Sequence, residues 1–154
     1  MKVALVHDYL TQYGGAERVL AALCELFPRA PIYTLIYNRK LTGGAFDERI
    51  IRTSFLQDIP FSQSSHRLFS PLMPLAIERF DLSHYDLVIS DSSGYAKGIV
   101  SKPGTYHLSY CHTPLRYAWD DSHKYLEEFG FPGWLKSIIP FFIILPCYID
   151  ISRR

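Results

Sequence analysis

The segment Lys2–Leu26, KVALVHDYLTQYGGAERVLAALCEL, leaves few folds open, because an apolar run meets a Gly-Gly pair that leads straight into a helical repeat. Val3–Val6 is continuously apolar, the pattern of a parallel strand covered on both faces rather than of a half-exposed one. After Gly14-Gly15, residues Val19, Leu20, Leu23, Leu26 and Phe27 recur at helical spacing until Pro28 ends the run. A strand, a glycine loop and an amphipathic helix make a βα unit, which has to pair with further strands to bury its faces. The sequence predicts them at Pro31–Tyr37, near Ile50–Phe55 after the Gly43-Gly44 turn, at Tyr85–Ser90 and at Tyr106–Tyr110. Leu68–Phe80 reads as a helix interrupted by Pro71 and Pro74. The expected fold is α/β, a Rossmann-like parallel sheet with helices on both faces.

The chain has 154 residues, 48% of them hydrophobic, which is enough for one domain with its own core. A net charge of +1 with dispersed Lys and Arg gives no footprint for a nucleic-acid partner. Cys24, Cys111 and Cys147 form no CxxC pair, and Met1-Lys2 runs directly into the first strand without a signal peptide, so reduced thiols in the cytosol are expected. Leu115–Phe129 has a helical pattern, broken at Phe131-Pro132-Gly133. Ile138–Ile149 is the most apolar stretch, too short for the roughly 20 residues a bilayer span needs and interrupted by Pro140 and Pro146. It reads as a core helix, a domain interface or a membrane-surface anchor, and Trp134 and Lys136 just before it favour the last two.

Two of the predicted strands end in residues capable of chemistry, and in open parallel sheets ligands gather at the carboxyl ends of strands. The Gly14-Gly15 loop suits a phosphate, since glycines admit a close anion to backbone N–H groups at a helix start; a plain tight turn is the alternative. Glu17 is expected on the surface, complementing the helix dipole. His7-Asp8 ends the first strand, Asp91-Ser92-Ser93-Gly94 is read as a polar loop after the fourth, and Cys111-His112-Thr113-Pro114 follows the fifth. His112 projects towards a cleft, where its ring can serve a substrate hydroxyl, or is a structural histidine. Cys111 is expected to be a small core residue. No zinc-ligand spacing, Asp-x-Asp pair or GxSxG elbow occurs, so metal and serine-hydrolase chemistry are not expected. Arg116, Tyr117, Trp119 and Asp120 offer the mix of hydrogen bonds and stacking that sugars need, or else form an amphipathic helix with Tyr117 and Trp119 in the core.

Together HDYLTQYGGAERVL, DLVISDSSGYAKG and YHLSYCHTPLRYAWD resemble the N-terminal domain of bacterial GT-B glycosyltransferases of family four, which build lipopolysaccharide and exopolysaccharide. The resemblance covers most of the chain in order. It implies an acceptor-side domain over residues 1–154, incomplete at its C-terminus, with the domain that binds the nucleotide-sugar donor absent. It implies retaining transfer of a hexose to a lipid-linked or polysaccharide acceptor, without a metal or other cofactor, at the cytoplasmic face of the inner membrane. By position, His112 matches the histidine of the catalytic centre, and Gly14 and Gly15 match the loop that approaches the donor diphosphate and sugar. Asp8, Tyr9, Arg116 and Tyr117 fall on the acceptor side. Without its donor-binding half the chain is expected to be inactive alone. The alternative is a non-enzymatic partner subunit or membrane-docking module of a split transferase.

Overall fold

The computed structural model describes residues 1–63 and 66–112. Among them, five strands form one sheet in which all neighbouring strands run parallel. They are β1 (Val3–His7), β2 (Ile32–Thr34), β3 (Ile51–Thr53), β4 (Leu87–Ser92) and β5 (Tyr106–Cys111), in the spatial order β3-β2-β1-β4-β5. The chain begins in the middle, builds outwards through β2 and β3, then returns to the other side of β1 for β4 and β5. The strand order therefore reverses between β1 and β4, and a crevice at the carboxyl ends of these two strands is the usual consequence. This is the Rossmann-like α/β class that the sequence predicts.

Strict alternation of side chains sends neighbouring residues of each strand to opposite faces of the sheet. Leu5, Ile32 and Ile89 pack with Leu20 and Cys24 of helix α1 (Gly15–Leu26), together with Leu10, Ala30 and Phe46. Ala4, Val6, Tyr33 and Val88 turn the other way, against Met73, Ala76 and Ile77 of helix α2 (Met73–Glu78) and against Leu56 and Leu82. Both faces of the central strands are thus covered, which is why Val3–Val6 carries no polar alternation.

Several local expectations shift. Strand β2 keeps only three residues in its ladder, but the chain stays alongside β1's extension through Leu35 N–H to Asp8 O at 3.0 Å, Leu10 N–H to Ile36 O at 2.8 Å and a bridge between Leu10 and Tyr37. Residues 66–72 form a 3₁₀ turn that accommodates Pro71, and α2 starts just before Pro74, where a missing N–H costs no helical hydrogen bond. In α1 the buried stripe is Glu17, Leu20 and Cys24, whereas Leu26 is 72% exposed, because at helical periodicity it falls on the side of α1 opposite that stripe. Cys111 is exposed, contrary to the core position expected of it: β5 lies at the edge of the described sheet, with all six of its residues exposed. Among the described residues, no helix is long and apolar enough to cross a membrane. The helix predicted over Leu115–Phe129 and the apolar stretch Ile138–Ile149 lie outside the described residues.

The contrast along α1 is testable by urea denaturation. Leu20→Ala removes a fully buried side chain and should cost roughly 2–5 kcal/mol, whereas Leu26→Ala should stay within about 0.5 kcal/mol of the parent. Equal losses at the two positions would contradict this packing.

Candidate functional site

Parallel pairing of β1 with β4 sets His7 directly beside Asp91. Both lie two residues beyond neighbours packed on the α1 side, Leu5 and Ile89, so both side chains turn to that face. There His7 Nδ1 is 3.0 Å from Asp91 Oδ2, and its other ring nitrogen, Nε2, is 3.9 Å from Glu17 Oε1 of α1. Asp91 is wholly buried, and its second oxygen, Oδ1, is 2.5 Å from Nε2 of His112, the residue just past β5. That approach is short but poorly aligned along the ring N–H direction, so it is a close polar contact rather than a well-directed hydrogen bond. Asp91 belongs to β4 and not to a loop after it, and Glu17 is buried instead of lying on the surface. Both corrections have one cause, the need of His7 for charged partners where it enters the core.

This grouping shifts the ionisation of its members. Burial works to lower the pKa of His7, but the contacts with Asp91 and Glu17 and the nearby charges of Asp8 and Asp91 outweigh it, and the pKa is raised to about 9. For Glu17, burial works upwards, while His7 and the backbone N–H of Gly14 hold the carboxyl below its usual value. His7 is therefore an imidazolium at neutral pH, between two carboxylates.

Asp8, one residue on, faces the opposite way and collects the loop that follows β4. Its Oδ1 accepts from Ser92 Oγ at 3.1 Å, Tyr95 N–H at 2.8 Å and Ala96 N–H at 2.6 Å. Its Oδ2 accepts from the N–H groups of Ser93 and Gly94, both at 2.7 Å. Four successive backbone N–H groups curled around one carboxylate form an anion nest that is filled from within the chain. Asp8 thereby fixes the start of the 3₁₀ turn Ala96–Gly98, and its oxygens are committed to that loop.

Gly14 and Gly15 take different parts at the start of α1. Gly14 caps the helix, and its N–H donates to Glu17 Oε2 at 2.8 Å; a Cβ there would meet that oxygen at 3.2 Å. Among the described residues, nothing lies within 4 Å of the place where a Cβ of Gly15 would stand, so the second glycine presents the open backbone. Neither glycine has positive φ, and close approach is the property they offer. Tyr9 is half-buried against the α2-side core, with its ring centroid 4.5 Å from that of His66. Arg116 and Tyr117 lie outside the described residues.

The sheet thus brings Gly14 and His112 to the two ends of one buried line, Gly14–Glu17–His7–Asp91–His112. Glu17 and Asp91 are the members sequence reasoning missed, and the signal for Asp91 was available: a histidine and an aspartate each ending a central strand. Among the described residues, no three His, Cys, Asp or Glu side chains are arranged to hold a metal ion. Comparison with protein-family models, with curated proteins and with solved structures finds no match for this chain.

Two outcomes follow from these contacts. Asp8→Ala leaves four backbone N–H groups without their acceptor and should destabilise the protein by roughly 3–5 kcal/mol in urea denaturation, with Asp8→Asn losing less; an Asp8→Ala loss below about 1 kcal/mol would refute the clamp. The second concerns pH. A histidine whose folded pKa is raised from 6.5 to about 9 stabilises fully below 6.5, and this contribution fades as pH climbs through 9. The upper limit of the loss is on the order of 3 kcal/mol, and His7→Gln should flatten stability over that window. A parent protein with no such slope would contradict the charged state of His7.

Proposed function

We propose that this chain is the acceptor-side half of a retaining GT-B glycosyltransferase, which moves a hexose from a nucleotide-sugar to a lipid-linked or polysaccharide acceptor at the cytoplasmic face of the inner membrane. The observation that carries the reading is the meeting of the three stretches that resemble family four at one rim of the sheet. The glycine loop after β1, the end of β4 and His112 after β5 converge through one buried line, Glu17, His7 and Asp91, although 98 residues separate Gly14 from His112. A transfer centre needs donors placed where charge develops, and rigid strand ends supply them better than mobile loops do.

In this reading His112 contacts the donor sugar from the acceptor-side wall, and the open backbone at Gly15 gives the diphosphate and the transferred sugar room to approach α1. The leaving nucleoside diphosphate takes its stabilisation from backbone donors and from cationic groups of a donor-binding domain across the cleft. Tyr9, Arg116 and Tyr117 serve the acceptor, while Asp8 shapes its side of the cleft by holding residues 92–96. No metal enters the step, because phosphate charge is met by the protein's own donors.

The reading is tested by joining the chain to a family-type donor-binding domain and measuring transfer from GDP-mannose and UDP-sugars. His112→Ala should lower kcat by about 10²-fold or more. Equal turnover for parent and variant would overturn the assignment.

A further inference from the structure

The sugar-transfer reading gives His112 a role without saying which face of its ring does the work. Two observations on the buried line decide this. The Nε2 atom of His112 is enclosed and lies 2.5 Å from Asp91 Oδ1, whereas the side chain as a whole keeps 18% of its surface open. A carboxylate oxygen that close repels a ring nitrogen's lone pair and attracts its N–H, even off the N–H axis, so Asp91 favours the form of the ring protonated at Nε2. Asp91 has little freedom to yield: its other oxygen is fixed on His7 Nδ1, it is completely buried, and His7 is in turn backed by Glu17. The ring plane of His112 is further braced by Tyr110, edge to face at 5.1 Å between centroids.

We infer that Asp91 is a positioning residue for His112, keeping the proton on Nε2 and turning Nδ1 outwards as the ring's ligand-facing atom, an acceptor for a hydroxyl of the sugar. The carboxylate acts through the histidine and touches no ligand itself. The assignment of the ligand as a sugar hydroxyl rests on the proposed transferase function; the orientation and protonation of the ring do not. In the neutral ring, Nδ1 carries a lone pair, so the expected contact is a hydroxyl donating to His112 and not a histidine N–H donating to the substrate. Glu17 and His7 extend the support to the glycine loop: the carboxylate that holds Gly14 N–H also faces the imidazolium that holds Asp91. The loop and the histidine are therefore set by one chain of charges.

Alkylation regiochemistry reads this arrangement without any sugar, so its outcome is separate from the outcome of the transferase assay. An unhindered histidine reacts with iodoacetamide mainly at Nε2. In the full chain, with Cys111→Ser to remove the exposed neighbouring thiol, His112 should instead be carbamidomethylated at Nδ1, in about tenfold excess over Nε2, because Nε2 is enclosed and faces a carboxylate. The isomers are distinguished by tandem mass spectrometry against synthetic standards and by long-range 15N–1H correlation. Adding Asp91→Ala or Asp91→Asn should shift the product towards Nε2. Predominant Nε2 modification in the Asp91-containing chain would overturn the inference, as would absence of any His112 product there, since an outward Nδ1 must be reachable. Because the Asp91-containing chain decides by itself, the test survives if both Asp91 variants fail to fold; if they fold and keep the Nδ1 preference, the role of Asp91 is refuted.

Discussion

A carboxylate with no solvent exposure has to be neutralised where it stands, and Asp91 is neutralised by His7. Removing a carboxylate from water costs several kcal/mol even after relaxation, so the pair is tolerable only while the imidazole is charged and close. The surroundings secure that state: Glu17 approaches from α1, Asp8 follows just past the strand, and the pKa of His7 rises to about 9 in spite of burial. The remaining oxygen of Asp91 then reaches His112, so one internal ion pair sets the geometry at the ends of three strands.

The sheet makes this economical in sequence. Alternation carried past the end of β1 sends His7 to the α1 face and Asp8 to the other, so a two-residue His-Asp step serves both faces of the sheet. His7 anchors the end of β4 through Asp91, and Asp8 anchors the loop beyond β4 through five donors. The reversal of strand order between β1 and β4 is what brings these contacts together at a single rim. Glu17 completes the set by linking Gly14 to His7, so the start of α1 and the strand ends form one continuous polar seam between two apolar layers.

Much of this fold could be read from the chain. Val3–Val6 and the repeat from Val19 gave β1 and α1, and the later apolar runs gave β2 to β5, since hydrophobic period and length are local properties. What could not be read locally depends on register and on edges. Glu17 looked like a surface residue because its spacing on α1 says nothing of a charged partner below it, and Asp91 looked like loop because a buried acid in a strand makes sense only once His7 is its neighbour. Cys111 and Leu26 are apolar or small and were expected inside, but one lies on the edge strand of the described sheet and the other on the outer side of α1. For the candidate site, the sequence pointed to Gly14, Gly15 and His112 and placed His7 and Asp91 near strand ends, but held no sign that these join them, because the His7–Asp91 contact forms across a parallel ladder between positions 84 residues apart.

The dependence of the structure on the His7–Asp91 pair is most directly measured by a double-mutant cycle, with His7→Gln and Asp91→Asn made singly and together and unfolding free energies taken at pH 6.5. A coupling of about 1–3 kcal/mol is expected, with the double variant losing less than the sum of the two single losses, because each single change strands a buried partner that the second change removes. Additive losses would show that the two side chains are merely adjacent, and the line from Gly14 to His112 would lose its central link.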